Sequence, residues 1–235
     1  MEEPRDYTQF ASAMTSSLKS RIRTIHRRLV KEYGEPAPPP SIPALDELIF
    51  TILSQNTNDK NRDRAYAVLR ERFPDWASVA EAPTGELADA IRIGGLGDTK
   101  AGYIQGVLRH VYAERGEYSL DFLKGLSDAE ALEYLQTLPG VGAKTAHCVL
   151  VFSLERDVFP VDTHILRVSK RLGLIPEKTD LTKAHELWAA MVPDGLGYRL
   201  HKDIISHGRK VCTARKPLCG ECVLVDLCPS AELAV

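Results

Sequence analysis

Four cysteines, Cys212, Cys219, Cys222 and Cys228, stand near the end of the chain with six, two and five residues between them, and only Cys148 lies elsewhere. No other feature restricts the fold as much, because four cysteines in one short loop read as the ligands of one metal site. Soft sulfur is the ligand that both iron-sulfur clusters and structural zinc require. A zinc knuckle pairs its ligands as two short C-x-x-C turns, whereas here only Cys219 and Cys222 form such a turn. The uneven spacing favours a cubane cluster. Two disulfides would be the alternative, but they would leave Cys148 over, and no secretory apolar segment opens the chain.

The chain has 235 residues, 44% of them hydrophobic, enough for one large core or two small ones. No apolar run approaches the length that crosses a bilayer, so a soluble protein without a membrane partner is expected. Thirty basic residues against thirty-two acidic ones give a net charge of −2, which does not announce a polyanionic partner. The local pattern is less neutral. Lys19, Arg21, Arg23, Arg27, Arg28 and Lys31 occur with no acid among them, and between Arg199 and Lys216 six basic residues face only Asp203. If the two stretches pack together they form one basic face; if they do not, each reads as an ordinary solvated helix surface.

The pattern along the chain is helix after helix, with almost no strand signal, and predicts an all-α fold. Cap residues precede amphipathic runs at Ser41 with Pro43, at Asn58 and at Thr84, and Ser127 with Glu130 makes a capping box. Residues 35–40, EPAPPP, are too rich in proline for a helix interior and read as a linker between lobes.

A second motif, LPGVGAKT at Leu138–Thr145, falls between two helical patterns. Pro139 ends the first helix, the glycines permit a hairpin with positive φ or close approach, and a new helix starts near Ala143. Amides around Gly140, Val141 and Gly142 would then lie at a helix N-terminus, where they can bind a phosphate without any charged side chain. Many helix pairs also turn on glycine, so the motif alone leaves both readings open.

Lys144 follows the hairpin, and Asp162 stands eighteen positions later within VDTHILRV, Val161–Val168. With these segments the sequence resembles the endonuclease III family of helix-hairpin-helix DNA glycosylases, which carry a [4Fe-4S] cluster. The resemblance runs from about Leu45 to Pro229. It rests on LSQNTND at Leu53–Asp59, GLGDTKA at Gly95–Ala101, the hairpin with VDTHILRV, and the cysteine loop, in that order.

The resemblance implies a bilobal protein, with a six-helix domain at 37–156 and a cluster domain formed by 1–36 and 157–235, its iron-sulfur loop at 212–228. It implies double-stranded DNA with damaged bases or abasic sites as partner, a monomeric state, and a cytoplasmic place of action, at the nucleoid if the source is bacterial. The damaged base would be flipped into a cleft between the lobes, as chemistry on a stacked base requires. Lys144 would attack the sugar C1′ as a neutral amine, its pKa lowered by a helix N-terminus and partial desolvation. Asp162 would oppose the positive charge developing on the sugar, although its place before Thr163 also suits a helix N-cap. Loss of the base leaves a Schiff base on Lys144, and elimination of the 3′ phosphate nicks the strand.

The resemblance also assigns Asn56, with Gln55 beside it, as a polar plug for the vacated stack, and Leu96 as an apolar wedge. Many relatives carry Gln at the Asn56 position, and Gln136 and Ala143 replace charged residues, which points to a less polar pocket. His164 and His147 suit either a backbone contact or a substrate contact, and Cys148 suits a helix core. Arg215 and Lys216, within the cysteine loop, would be pinned by the cluster against the DNA backbone. Two other functions fit the same family: a monofunctional glycosylase for mismatched thymine, uracil or adenine, against which Lys144 speaks, and a non-catalytic iron-sulfur DNA-binding or redox protein.

Overall fold

The computed structural model describes residues 7–39 and 41–231, with side chains from residue 16 onward; Pro40 of the linker lies outside them, as do the first six residues. It is all-helical, with no strand among the described residues. The chain divides into two compact units, one Pro39–Arg156 and the other Met1–Pro38 with Asp157–Val235.

The central unit holds six helices of eight or more residues and one of six. They are α2 (Ala44–Ser54), α3 (Asp59–Arg72), the six-residue α4 (Trp76–Glu81), α5 (Thr84–Ile91), α6 (Gly97–Arg115), α7 (Asp128–Thr137) and α8 (Ala143–Phe152). Helix α2 sits in the middle. It packs along α8 and also touches α3 and α6. Leu45, Leu48, Ile49, Ile52 and Leu53 are all at most 1% exposed, so α2 is buried on more than one face. Its one part-exposed stripe is Asp46, Phe50 and Ser54, so polar residues off that stripe face other helices. Glu47 and Thr51 are consequently buried as well.

Helix starts follow the expected caps in part. Asn58 accepts the Asn61 amide at 2.9 Å, and Ser127 with Glu130 closes a capping box. Ser41 does not cap α2, whose N-cap is Pro43, and Thr84 is the first residue inside α5, where its hydroxyl donates to Gln105 at 2.7 Å. In both places proline at the cap presets the helical entry, and a side-chain acceptor is not used.

The flanking unit is built on α1 (Tyr7–Tyr33), α9 (Thr163–Arg171), α10 (Leu181–Met191) and α11 (Gly197–Lys210). Ile22, Ile25 and Leu29 of α1 join Ile165, Val168, Trp188, Leu200 and Ile204 in one core, with Phe159 stacked on Trp188 at 4.2 Å between centroids. Burying this apolar surface is the main favourable term in holding α1 to residues more than 130 positions away in the chain. A buried pair, His26 Nδ1 and Asp203 at 2.7 Å, joins α1 to α11 inside the unit.

Candidate active site and cluster-binding loop

The hairpin between α7 and α8 has different needs at its two glycines. Gly140 has φ +74°, and a Cβ there would lie only 2.4 Å from Tyr103 Cδ2. Only glycine meets both conditions. Gly142 has φ −94° and open space around it; it serves as the N-cap of α8. Val141 is buried, and its amide donates to the Leu138 carbonyl at 3.2 Å, so this N–H closes the hairpin and is not offered outward as expected. Lys144 is the second residue of α8 and is half-buried. His147, one turn on, bonds the Ala143 carbonyl through Nδ1 at 2.7 Å, and burial lowers its pKa.

Helix α2 carries Glu47 and Thr51 one turn apart on one face, and Gln55, its C-cap, follows four residues later. Gln55 Nε2 donates to the Gly140 carbonyl at 3.0 Å and lies 3.5 Å from Thr145 Oγ1. Gln55 therefore braces the hairpin. The Thr51 hydroxyl donates to Glu47 Oε1 at 2.8 Å. Burial drives the Glu47 carboxyl up to about 7, while the Thr51 hydroxyl and the charges of Lys144 and Arg62 pull it back.

Asn56 and Leu96 are both exposed, and both adopt φ +52°, a left-handed conformation that non-glycine residues seldom take. One buried side chain ties their segments together. Lys100 is 1% exposed, and its ammonium donates to the Leu53 and Gly94 carbonyls at 2.8 Å each.

In the flanking unit, half-buried Asp162 is the N-cap of α9 and accepts the Ile165 amide through Oδ1 at 2.8 Å. The N-cap role weighed from the sequence is thus realised. His164 Nδ1 accepts from Arg167 at 3.1 Å, and Arg167 also donates to the Cys212 and Gly208 carbonyls at 3.0 and 2.8 Å. His164 is consequently turned to its own helix.

The four loop cysteines are half-buried and line a single cavity with Val168, Leu172, Val211 and Val225. Among the described residues, no three His, Cys, Asp or Glu side chains converge on a single ion. Four thiols lining one cavity are an arrangement that can hold a multi-iron cluster. Burial pushes the Cys222 thiol up, and the three other cysteines push it further. Four thiolates can ionise together there only against the positive charge of a metal group.

Other side chains that brace this loop gave no signal in the sequence. Arg171 donates to Cys212 Sγ at 3.3 Å, the Thr213 carbonyl at 2.7 Å and the Ala214 carbonyl at 3.0 Å. His207 Nε2 lies 3.6 Å from Cys222 Sγ, and its Nδ1 is 3.0 Å from the Tyr33 hydroxyl. Facing a thiolate, Nε2 must carry the proton, and Nδ1 then accepts from Tyr33. Burial lowers His207 to about 4 and keeps the ring neutral. Arg215 and Lys216 are exposed between these braces.

The basic stretches do not form one uniform charged face. Arg21 donates to the Leu172 and Leu227 carbonyls at 2.5 and 2.7 Å, and Arg28 to the Val223 carbonyl at 3.1 Å and to Asp226. These arginines hold the cluster region to α1. Sequence pattern alone does not separate such struts from solvated charges.

A family model described as "HhH-GPD superfamily base excision DNA repair protein" matches residues 49–192, and one described as "Iron-sulfur binding domain of endonuclease III" matches residues 212–228. An Arabidopsis thaliana protein named as a DNA glycosylase is 40% identical over 72% of this chain, which spans 57% of that protein's length. Endonuclease III of Synechocystis is 39% identical, over 79% of this chain and 80% of that one. The structure of a non-covalent endonuclease III–DNA complex superposes with a TM-score of 0.78 at 27% identity, covering 91% of this chain and 96% of that one.

Proposed function

Because the chain belongs to the HhH-GPD superfamily of base excision DNA repair proteins, and within it to the endonuclease III family, we propose that it is a bifunctional DNA glycosylase and abasic-site lyase acting on oxidised pyrimidines in duplex DNA. The observation that carries this reading is Lys144, a half-buried primary amine in the first turn of the helix that follows the hairpin. An amine in that place can do what a monofunctional enzyme's residue does not, which is to bond covalently to the sugar.

Lys144 attacks C1′ as the glycosidic bond breaks, and the bonding pair leaves with the base. Asp162 opposes the positive charge that develops on the sugar. The C1′–O4′ bond then opens, O4′ taking up the proton that the attached nitrogen gives up, and the resulting iminium acidifies the adjacent C2′ proton, whose loss expels the 3′ phosphate. Asn56 plugs the vacated stack, Leu96 wedges it open, and the first-turn amides of α8 beyond Val141 receive a phosphate. The [4Fe-4S] cluster, held by Cys212, Cys219, Cys222 and Cys228, supplies a rigid brace when bound, and on it Arg215 and Lys216 meet the DNA backbone. The protein acts as a monomer in the cytoplasm, at the nucleoid if its source is bacterial, and no helix among its described residues is long and apolar enough to cross a membrane.

Incubation with a set of duplexes, each carrying one oxidised pyrimidine, one mismatch or one abasic site, tests this. Nicked product with a 3′ unsaturated aldehyde on the oxidised-pyrimidine duplex is expected. Intact abasic strand as the only product, or product from mismatches alone, would replace the reading with a monofunctional one.

A further inference from the structure

Glu47 is a buried acid that the mechanism above leaves unused. It is 5% exposed, in the first turn of a helix that packs against α3, α6 and α8. Favouring the helix dipole does not explain its burial, since Asp46 beside it already serves that end and also accepts from the Tyr66 hydroxyl at 3.0 Å and Trp76 Nε1 at 3.3 Å. Glu47 instead begins the face of α2 that continues through Thr51 to Gln55. Helix α2 packs along α8, Gln55 just past its end reaches Gly140 and Thr145, and the charge of Lys144, the neighbour of Thr145 in the chain, acts on Glu47.

We propose that Glu47 is the proton acceptor for Lys144, taking the ammonium proton and leaving the neutral amine that attacks the sugar. The proposal rests on the reading of Lys144 as nucleophile. The exchange balances: one N–H bond of Lys144 breaks, its electron pair stays on nitrogen, and the proton bonds to a Glu47 carboxylate oxygen. A charged pair becomes a neutral one. When the amine is released from the sugar it takes the proton back. In a desolvated site the neutral pair is favoured relative to water, which is what an attacking amine needs.

The charged groups acting on Glu47 are Lys144 from α8 and Arg62 from α3. Arg62 is engaged with Asp59 and Asp63 at 3.1 and 2.7 Å, and Lys100 of α6 is engaged with carbonyls at the other end of α2. Of these groups, Lys144 is the one whose proton release has a chemical use. Burial also makes Glu47 a stronger base than an ordinary carboxylate, with a pKa of about 7, matched to proton transfer near neutrality.

The test is single-turnover borohydride trapping of the cluster-loaded protein on an abasic-site duplex, from about pH 5.5 to about pH 9.5, a range chosen to span ionisation of the acceptor. The wild-type rate should fall on the acid side of about pH 7. Glu47→Gln should trap about 10²-fold more slowly near neutrality, at the low end of general-base effects, and recover in alkali as Lys144 loses its proton to water. Glu47→Asp should lie between. Thr51→Val removes the hydroxyl that favours the carboxylate and should move the acid limb to higher pH, which decides the matter should Glu47→Gln fail to fold. A Glu47→Gln profile overlying wild type or moved to lower pH would overturn the proposal while Lys144→Ala stayed untrappable. Trapping by Lys144→Ala would bring down the nucleophile assignment itself, and this proposal with it.

Discussion

The ammonium of Lys100 lies 2.8 Å from the carbonyl of Leu53, 47 positions earlier in the chain, and equally close to that of Gly94. It clamps the end of α2, after which comes Asn56, to the turn that presents Leu96. Lys100→Met keeps the length and apolar stem but leaves two buried carbonyls without a donor, at about 1–3 kcal/mol each. Urea unfolding should show a loss of about 2–6 kcal/mol. Lesion-duplex affinity measured well below the unfolding range should fall too, since both left-handed residues lose their common anchor.

The hairpin glycines should separate cleanly. Gly140→Ala meets a positive φ and the Tyr103 ring together, and should cost about 1–3 kcal/mol or more while weakening DNA binding. Gly142→Ser keeps an allowed φ of −94° and adds an N-cap acceptor, so its thermal midpoint should equal or exceed wild type. Equal destabilisation by the two would contradict this account of the turn.

Glu47 should also shape stability against pH. Its folded pKa of about 7 stands above the ordinary 4.5, so between those values the folded protein keeps a proton that the unfolded chain releases. Stability from this group is full below about pH 4.5 and declines as pH rises to about 7, by about 3 kcal/mol in all. Glu47→Gln should flatten that part of the curve and unfold at higher denaturant than wild type at about pH 8. Chemical denaturation across the pH range checks it.

How much of this was legible in the sequence follows from what each pattern encodes. Helical periodicity announces an all-α fold, and Ser127 with Glu130 announces its own cap, because both signals are local. The hairpin and the cysteine loop are legible because proline, glycine and thiolate each do something no other residue does. Glu47, Lys100 and Arg171 were missed for the opposite reason. An acid or a lysine in a helix reads as a solvated charge until the neighbours that bury it are known. The one available hint was Glu47 and Thr51 on a helix otherwise apolar on most of its faces. Arg21 and Arg28 were misread in the same way, their partners being carbonyls some 150 to 200 positions away.

Arg215 and Lys216 should behave differently from such struts. Both are exposed in the cluster loop, so replacing either by Ala should weaken DNA binding for every sequence and reduce the slope of log K against log salt by about one unit. Arg28→Ala should leave that slope unchanged, because Arg28 is engaged with Val223 and Asp226. Binding titrations at several salt concentrations distinguish the two classes.

Covalent capture of DNA by Lys144 tests the account most directly. Wild-type protein, treated with borohydride in the presence of an abasic-site duplex, should yield a cross-linked species whose DNA adduct maps by mass spectrometry to Lys144. Lys144→Ala should bind the same duplex with comparable affinity, since the hairpin, Leu96 and the cysteine loop remain, and should give neither adduct nor strand cleavage. An adduct formed at full yield by Lys144→Ala would mean that another amine is the nucleophile and would contradict the account.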